Sequence, residues 1–434
     1  MRMEGVRKKT QCKIVHVGRL KIPVSITVLK NGITVATARN NAAHDVSLGV
    51  GVRSLHENKK TNGARHFCEH LILKGAEGVT RQALIELLEF ESIYWDAETD
   101  VEHILYCYNA ASWQSAARIF PLYAKAIAYP AFTQEDVARE AGNFATELHR
   151  RFDEVEHYAR DKTHELLYEG RQIGLPFAGT EETVARLTSD ELHRLHAIYH
   201  TPKRLIVIGV GHISHEAVVR LASEAFHALP EKRISAAYPV EEVPKRGVRY
   251  FQEERTSNKS SQLVFGFNVS GVLLLKEDLP ALRLAVSILG NGVASRLCCA
   301  QERYGIGRGA NAFLDISRSY AVTYIEMDCR HHRELTDAER IIEVEIARLQ
   351  HEPVSANELT GHRKKLRTEM RGGADRIDDL RSELFLQVLA GTPTRIFSSY
   401  SAFPKVTASA IKRVARKYFD LSNHVVVKIL GKNV

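Results

Sequence analysis

The chain has 434 residues, 44% of them apolar and 26% charged, which excludes a disordered or fibrous protein and exceeds the size at which one hydrophobic core keeps growing. Its longest apolar runs, such as residues 205–210, fall far short of the roughly 20 residues that span a bilayer. The formal charge of +8 is dispersed, and its densest cluster, Arg363, Lys364, Lys365, Arg367 and Arg371, reads as a solvated helix face rather than a nucleic-acid surface.

Short β-branched runs come first, at residues 25–29 and 32–38, joined by Lys30 and Asn31 as a hairpin. Helical periodicity follows over 62–74, 80–90, 111–128 and 134–152, then over 181–199. A strand at 204–210 and a helix at 214–228 lead to residues 230–244, whose charge, Ala and Pro read as a linker. The order then recurs. Strands are expected near 248–251, 261–268 and 308–328, helices at 278–289, 335–350, 355–371, 376–390 and 407–418, and a last strand at 425–430. Helices alternating with strands that include hairpins indicate an α+β fold: two similar α/β domains, each a largely antiparallel sheet packed with helices, split near residue 235.

The six cysteines (Cys12, Cys68, Cys107, Cys298, Cys299 and Cys329) form no CxxC pair and read as free thiols of a reducing compartment. The basic start, MRMEGVRKKTQCK, lacks the apolar stretch of an export signal, so a cytoplasmic location is expected, with an organelle matrix as the alternative.

The chemistry concentrates in the helix at 62–74. Asn62 is placed to cap its start, and Lys74-Gly75 favours its end. His66 and His70 are four apart and project from one face, as two imidazoles on one cation must. Glu69 lies beside them without having to be a ligand, giving HxxEH, the inverted zinc-peptidase motif. A catalytic zinc takes three protein ligands, so the motif predicts a carboxylate or an imidazole elsewhere in the chain. The helix at 134–152, opened by Thr133 and Asp136, carries Glu140 and Glu147 on one face, two turns apart, and the spacing does not choose between them.

The HxxEH helix followed by these two glutamates resembles the pitrilysin-type (M16, inverzincin) metallopeptidases. Three further segments are similar to the family pattern in the same order: residues 175–182 (LPFAGTEE), residues 199–212 (Tyr199-His200-Thr201-Pro202 through Gly209-Val210-Gly211-His212), and the glycine turn from Leu289 to Leu297. The resemblance implies Zn2+ held by His66, His70 and Glu147, with Glu140 supporting the site. It also implies Glu69 as general base toward a water activated by the metal, in a zinc metalloendopeptidase acting on peptides or unstructured segments. Residues 1–230 would then be the domain carrying the zinc site, and 245–434 a second domain enclosing substrate. Asp96-Ala97-Glu98-Thr99 takes the place of the family's substrate-binding edge strand, with Asp where Asn is usual. Asp96, Glu98, Asp100 and Glu102 alternate there, so that on a strand they form one acidic face. The family's Arg/Tyr substrate clamp falls on Gln301 and Arg308, so neither member is present. A small register shift would let Tyr304 or Arg303 substitute; otherwise the resemblance implies a dimer, with a second subunit supplying the clamp or a homodimer in which Arg308 serves instead. The alternative is a non-catalytic structural or scaffold subunit.

Overall fold

A computed structural model describes residues 11–432 apart from 54–56, 177, 231–245, 256–257 and 270–276, so the expected linker at 230–244 lies, beyond Pro230, outside the described residues. The first half runs β1 (Gln11–Val17), β2 (Leu20–Val28), β3 (Thr34–Arg39), β4 (Val46–Arg53) and α1 (Ala64–Ile72). A small hairpin, β5 (Gly75–Ala76) and β6 (Val79–Thr80), precedes α2 (Arg81–Phe90), β7 (Tyr94–Thr99) and β8 (His103–Ala110). Then come α3 (Trp113–Ala128), α4 (Gln134–Asp153), α5 (Val155–Leu167), α6 (Glu181–Val184), α7 (Ser189–Tyr199), β9 (Leu205–Gly211) and α8 (His215–Ala225). The second half runs β10 (Arg249–Arg255), β11 (Ser261–Asn268), α9 (Leu279–Gly290), α10 (Arg296–Tyr304), β12 (Gly309–Ile316) and β13 (Ala321–Cys329). It closes with α11 (Leu335–His351), α12 (Ala356–Asp375), α13 (Ile377–Leu389), α14 (Ser399–Ala402), α15 (Ala408–Tyr418) and β14 (Val425–Gly431).

The first sheet has the order β1-β2-β3-β9-β4-β8-β7, the second β10-β14-β11-β13-β12. Without the β1–β2 extension, the two are the same sheet: first, fifth, second, fourth and third strand in chain order, with a parallel pairing only between first and fifth (β3 with β9, β10 with β14). Strand order thus shows two similar α+β domains.

Two compact units result, and neither is contiguous in sequence. Residues 149–174, with α5, belong to the second unit and residues 370–397, with α13, to the first, so the linear division 1–230 and 245–434 does not describe how these helices pack. α5 lies against β11 and β14, while α13 lies against β3, β4 and β9. The reason is steric as well as apolar. Gly51 of β4 leaves room for the Phe385 ring of α13, which a Cβ there would meet at 2.0 Å. Gly266 of β11 likewise admits Thr163 of α5. Covered on both faces, β4 is buried along nearly its whole length.

On the other face of the first sheet, α1 packs Phe67, Cys68, Leu71 and Ile72 into a core with Val50, Tyr106, Phe120 and Phe144. Each large apolar side chain contributes roughly 1.5–3 kcal/mol on burial. Anchoring that stripe turns the opposite face of α1, with His66, Glu69 and His70, toward α4.

Candidate metal centre

α1 starts differently from the expectation. Asn62 does not cap it; its amide donates to Pro176 O at 2.7 Å. Gly63 precedes the first helical residue in the left-handed region, φ 87°, where a Cβ would lie 2.8 Å from Ala178 O and from Gly179 Cα. The free N–H groups at this end donate instead to a buried carboxylate from the preceding loop: Gly63 N to Glu57 Oε2 at 3.0 Å and Arg65 N to Glu57 Oε1 at 2.8 Å.

α4 starts as the sequence indicates, Thr133 Oγ1 accepting from Asp136 N at 3.1 Å. It brings Glu140, Phe144 and Glu147 against the histidines. Nε2 of His66 and Nε2 of His70 are 3.2 Å apart. Glu147 places Oε1 3.5 Å from the first and Oε2 3.2 Å from the second. A tetrahedral zinc with donors at about 2.0–2.1 Å spaces them roughly 3.3–3.4 Å apart, so two imidazoles and one carboxylate stand at the spacing of zinc ligands. The two imidazole planes are 82° apart, and each meets the Phe144 ring edge-on, at 4.8 and 5.0 Å, which fixes their orientation.

Glu140 takes the other side of the same imidazole, Oε1 lying 3.1 Å from His70 Nδ1. Burial pushes its carboxyl up, but Lys74 at 2.8 Å, His70 and Asn143 outweigh that and hold it below the ordinary carboxylate range. Burial opposes charge on His70, yet its carboxylate neighbours Glu147, Glu69 and Glu140 raise its pKa. Glu69 is farther from the donor set, Oε2 lying 3.8 Å from His66 Nε2, and it accepts from Thr99 Oγ1 at 3.3 Å. Burial pushes Glu69 up to about 7; His70 pulls it down and Glu147 adds to the rise. Such a carboxyl is poised to exchange a proton near neutrality. Cys68, next to it, is fully buried, and burial pushes its thiol up, as suits a small core residue.

The site adjoins an edge. Among the described residues β7 pairs only with β8, Asp96 opposite Cys107, Ala97 opposite Tyr106 and Glu98 opposite Leu105. Because Thr99 bonds Glu69, alternation puts Ala97 on the same face as α1 and turns Asp96 and Glu98 to the other. There Glu98 Oε1 lies 3.4 Å from Nε2 of His103, whose ring meets Phe385 edge-on. The expected acidic stripe is shorter than its sequence: β7 ends at Thr99, and Glu102 is buried in the turn.

In the second unit the helix that corresponds to α1 in strand-and-helix order, α9, has no His, Asp or Glu. Gln301 is buried on α10. Arg308 is paired with Asp328 at 3.1 Å, and Tyr304 is exposed. The glycine turn is tied down by Lys365, which donates to both Asn291 O and Oδ1. Arg363 donates to Val406 O and Arg367 stacks on Tyr400 at 4.6 Å, so three members of the basic cluster are structural and only Lys364 and Arg371 fit the expected exposed face.

Sequence reasoning missed Glu57, Arg65, Thr99 and His103. Thr99 stood inside a quoted motif, a usable signal; the others depend on loop and cross-strand contacts that no local spacing reveals.

Residues 34–181 match the family described as Insulinase (Peptidase family M16), and residues 186–366 match Peptidase M16 inactive domain. A protein named "Uncharacterized zinc protease" from Rickettsia bellii is 24% identical over 82% of this chain and 85% of its own length. The mitochondrial-processing peptidase subunit beta of Lentinula edodes is 24% identical over 91% of this chain and 87% of its own. Among solved structures, a protease from Helicobacter pylori superposes with a TM-score of 0.86 at 17% identity, covering 97% of this chain and 99% of that one. A peptidase M16 inactive domain from Pseudomonas fluorescens gives 0.85 at 15% identity, covering 95% and 98%. At such identities these structures show a shared fold. No described helix is long and apolar enough to cross a membrane.

Proposed function

The chain belongs to the M16 peptidase family, and from that membership we propose that it is a zinc-dependent endopeptidase acting on peptides or unstructured segments. His66, His70 and Glu147 hold the metal, and Glu69 is the general base. One observation carries the reading: two imidazole nitrogens and a carboxylate at zinc-ligand spacing, with a second carboxylate beside them but outside that set. Zinc, when bound there, supplies a Lewis acid that acidifies water and stabilises negative charge on a carbonyl oxygen. Glu69 accepts the proton lost as water attacks the peptide carbonyl and returns it to the leaving nitrogen. Thr99 holds one oxygen of Glu69, and Glu140 holds His70 from behind. Substrate pairs with edge strand β7 at Asp96, Ala97 and Glu98 as an added strand.

The reading extends to a cytoplasmic catalytic subunit that works with a second M16-type chain. The scaffold alternative draws support from the second unit, where neither Gln301 nor Arg308 offers the clamp side chain the family pattern calls for. It leaves His66, Glu69, His70 and Glu147 together without a purpose. The test is elemental analysis of the purified chain together with hydrolysis of a long unstructured peptide, before and after chelation and zinc restoration. One zinc per chain and chelator-sensitive cleavage are expected. A zinc-loaded chain that leaves the peptide intact, alone and with a candidate second subunit, would establish the scaffold reading instead.

A further inference from the structure

Arg65 stands one residue before the first histidine of the motif and one helical turn before Glu69, and is 2% exposed. A guanidinium so deeply buried needs partners for its charge and its donors. Its Nε lies 3.4 Å from Glu57 Oε2, and Glu57 is itself 3% exposed. Its Nη1 donates to two successive carbonyls, Asp100 O and Val101 O, both at 3.0 Å. Those carbonyls belong to the turn that directly follows β7. Glu57 meanwhile accepts the N–H groups of Gly63 and Arg65 at the start of α1. One buried ion pair therefore joins three pieces: the loop before α1, the first turn of α1, and the end of the edge strand.

We propose that Arg65 is a positioning residue: it fixes the C-terminal end of β7 to the zinc-site helix, so that a peptide paired along β7 meets the metal donors and Glu69 in a single register. The inference rests on the peptidase reading for its consequence, but the strut itself is a matter of geometry. Its effect differs from that of the Thr99 bond, which reaches the base alone. Edge strands are held on one side only, and among the described residues β7 has just β8 beside it. Its end is where a slip along the strand would displace the scissile bond from Glu69, and misplacement of about 1 Å costs roughly 100-fold in rate. The planar guanidinium suits the task because Nη1 bonds both carbonyls while Nε stays within ion-pair reach of the carboxylate, and a lysine ammonium at this site keeps the charge but gathers it at one point.

The experiment uses the full chain with Arg65→Met, which retains most of the side-chain volume, and Arg65→Lys. Hydrogen exchange followed by mass spectrometry reads β7 and its turn, elemental analysis reads zinc, and steady-state kinetics use a long unstructured peptide. Arg65→Met is expected to keep one zinc per chain and protection across α1, to exchange faster over residues 96–102, and to lose roughly 10- to 100-fold in kcat/KM. Arg65→Lys is expected to fall between it and the wild type in both exchange and rate. Unchanged exchange over 96–102 in Arg65→Met would overturn the proposal. So would loss of zinc and of α1 protection in Arg65→Lys as well as Arg65→Met, which would make Arg65 a prop for the helix alone. Absence of peptide cleavage by the zinc-loaded wild type would count against the peptidase reading, while the exchange comparison still decides the strut.

Discussion

Glu140 lies 3.1 Å from Nδ1 of His70, the ring nitrogen opposite the one that faces His66 and Glu147. Two glutamates two turns apart on α4, about 10 Å along the axis, thus address the two nitrogens of one imidazole. The contact sets the tautomer, leaving Nε2 free to donate its lone pair to a metal. Glu140→Gln is therefore expected to weaken zinc binding about 10- to 100-fold without abolishing it. Competition with a calibrated chelator measures this, and an unchanged zinc affinity would remove Glu140 from the support of the site.

Glu147 and Glu69 separate by the same geometry. Glu147→Gln replaces a charged oxygen donor within 3.5 Å of both imidazoles and is expected to lose most of the bound zinc at neutral pH. Glu69→Gln keeps the three-donor set and is expected to retain zinc while turnover falls at least 100-fold, in line with loss of a general base. Zinc analysis beside peptide turnover checks both, and equal zinc occupancy in wild type and Glu147→Gln would exclude Glu147 as a ligand.

The contrast between those residues marks what the sequence carries. His66, Glu69 and His70 are legible because helix geometry alone puts them together. Glu140 and Glu147 are legible as a pair, yet spacing cannot rank them, since the ranking depends on how far along α1 the helix α4 is docked. Glu57 is illegible: it caps α1 from a loop six residues before Gly63, where no pattern announces a cap. Strands β4 and β8 are illegible because burial on both faces erases the alternation that identifies a strand, and Gly49 and Gly51 interrupt β4 further. The exchange of α5 and α13 was hidden for a related reason. An apolar helix face announces that it will be covered, but not by which sheet. The likeness of the two domains shows in strand order rather than in residues, because many different side chains satisfy the same topology.

Acid sensitivity should come from a buried histidine pair rather than from the site. His196 lies 2.8 Å through Nε2 from Ile127 O and stacks on His200 at 3.9 Å, and His200 Nε2 lies 3.1 Å from Tyr106 Oη. Burial pushes His196 down from 6.5 to about 4, and His200 well below its ordinary value. A folded-state pKa below the unfolded one means that the unfolded chain takes up the proton first. Stability is therefore full above about 6.5 and falls as pH drops toward 4, by roughly 3 kcal/mol for His196 alone. His196→Gln, which keeps an N–H donor for Ile127, is expected to flatten urea-unfolding midpoints between pH 7 and 4. A wild-type slope no steeper than the variant's would refute this origin.

Specificity should follow the faces of β7. Asp96 and Glu98 point away from α1, so they meet alternate side chains of a peptide added to this edge, not the residue lying over the metal donors. His103, whose pKa is raised by Glu98, Asp100 and Glu102 against the effect of burial, offsets part of that charge. Peptides with Lys or Arg at those alternate positions are expected to be cleaved several-fold faster than neutral ones at low salt, with the advantage shrinking at 0.5 M salt. Asp96→Asn with Glu98→Gln should level the difference. Equal cleavage of basic and neutral peptides by the wild type at low salt would make the acidic strand merely a protected edge.

The last prediction concerns dependence on a partner. The two positions that correspond to the family's clamp are committed elsewhere: Gln301 is buried on α10, and Arg308 is held by Asp328. Tyr304 is exposed but stands on α10, four residues before the expected tyrosine position. A substrate clamp needs a side chain that gains its contacts only when peptide arrives, whereas the Arg308–Asp328 pair already satisfies that charge. The zinc-loaded chain alone is therefore expected to cut long peptides slowly, and addition of a second M16-type subunit bearing an Arg/Tyr pair is expected to raise kcat/KM at least tenfold. Arg308→Ala should change neither rate by more than about twofold, in keeping with an exposed pair worth less than about 1 kcal/mol. A homodimer that uses Arg308 gives the opposite pattern: a concentration-dependent rate for the chain by itself, abolished by Arg308→Ala. Full activity of the isolated monomer, insensitive to Arg308→Ala and Tyr304→Phe, would dispose of both forms of the partner requirement.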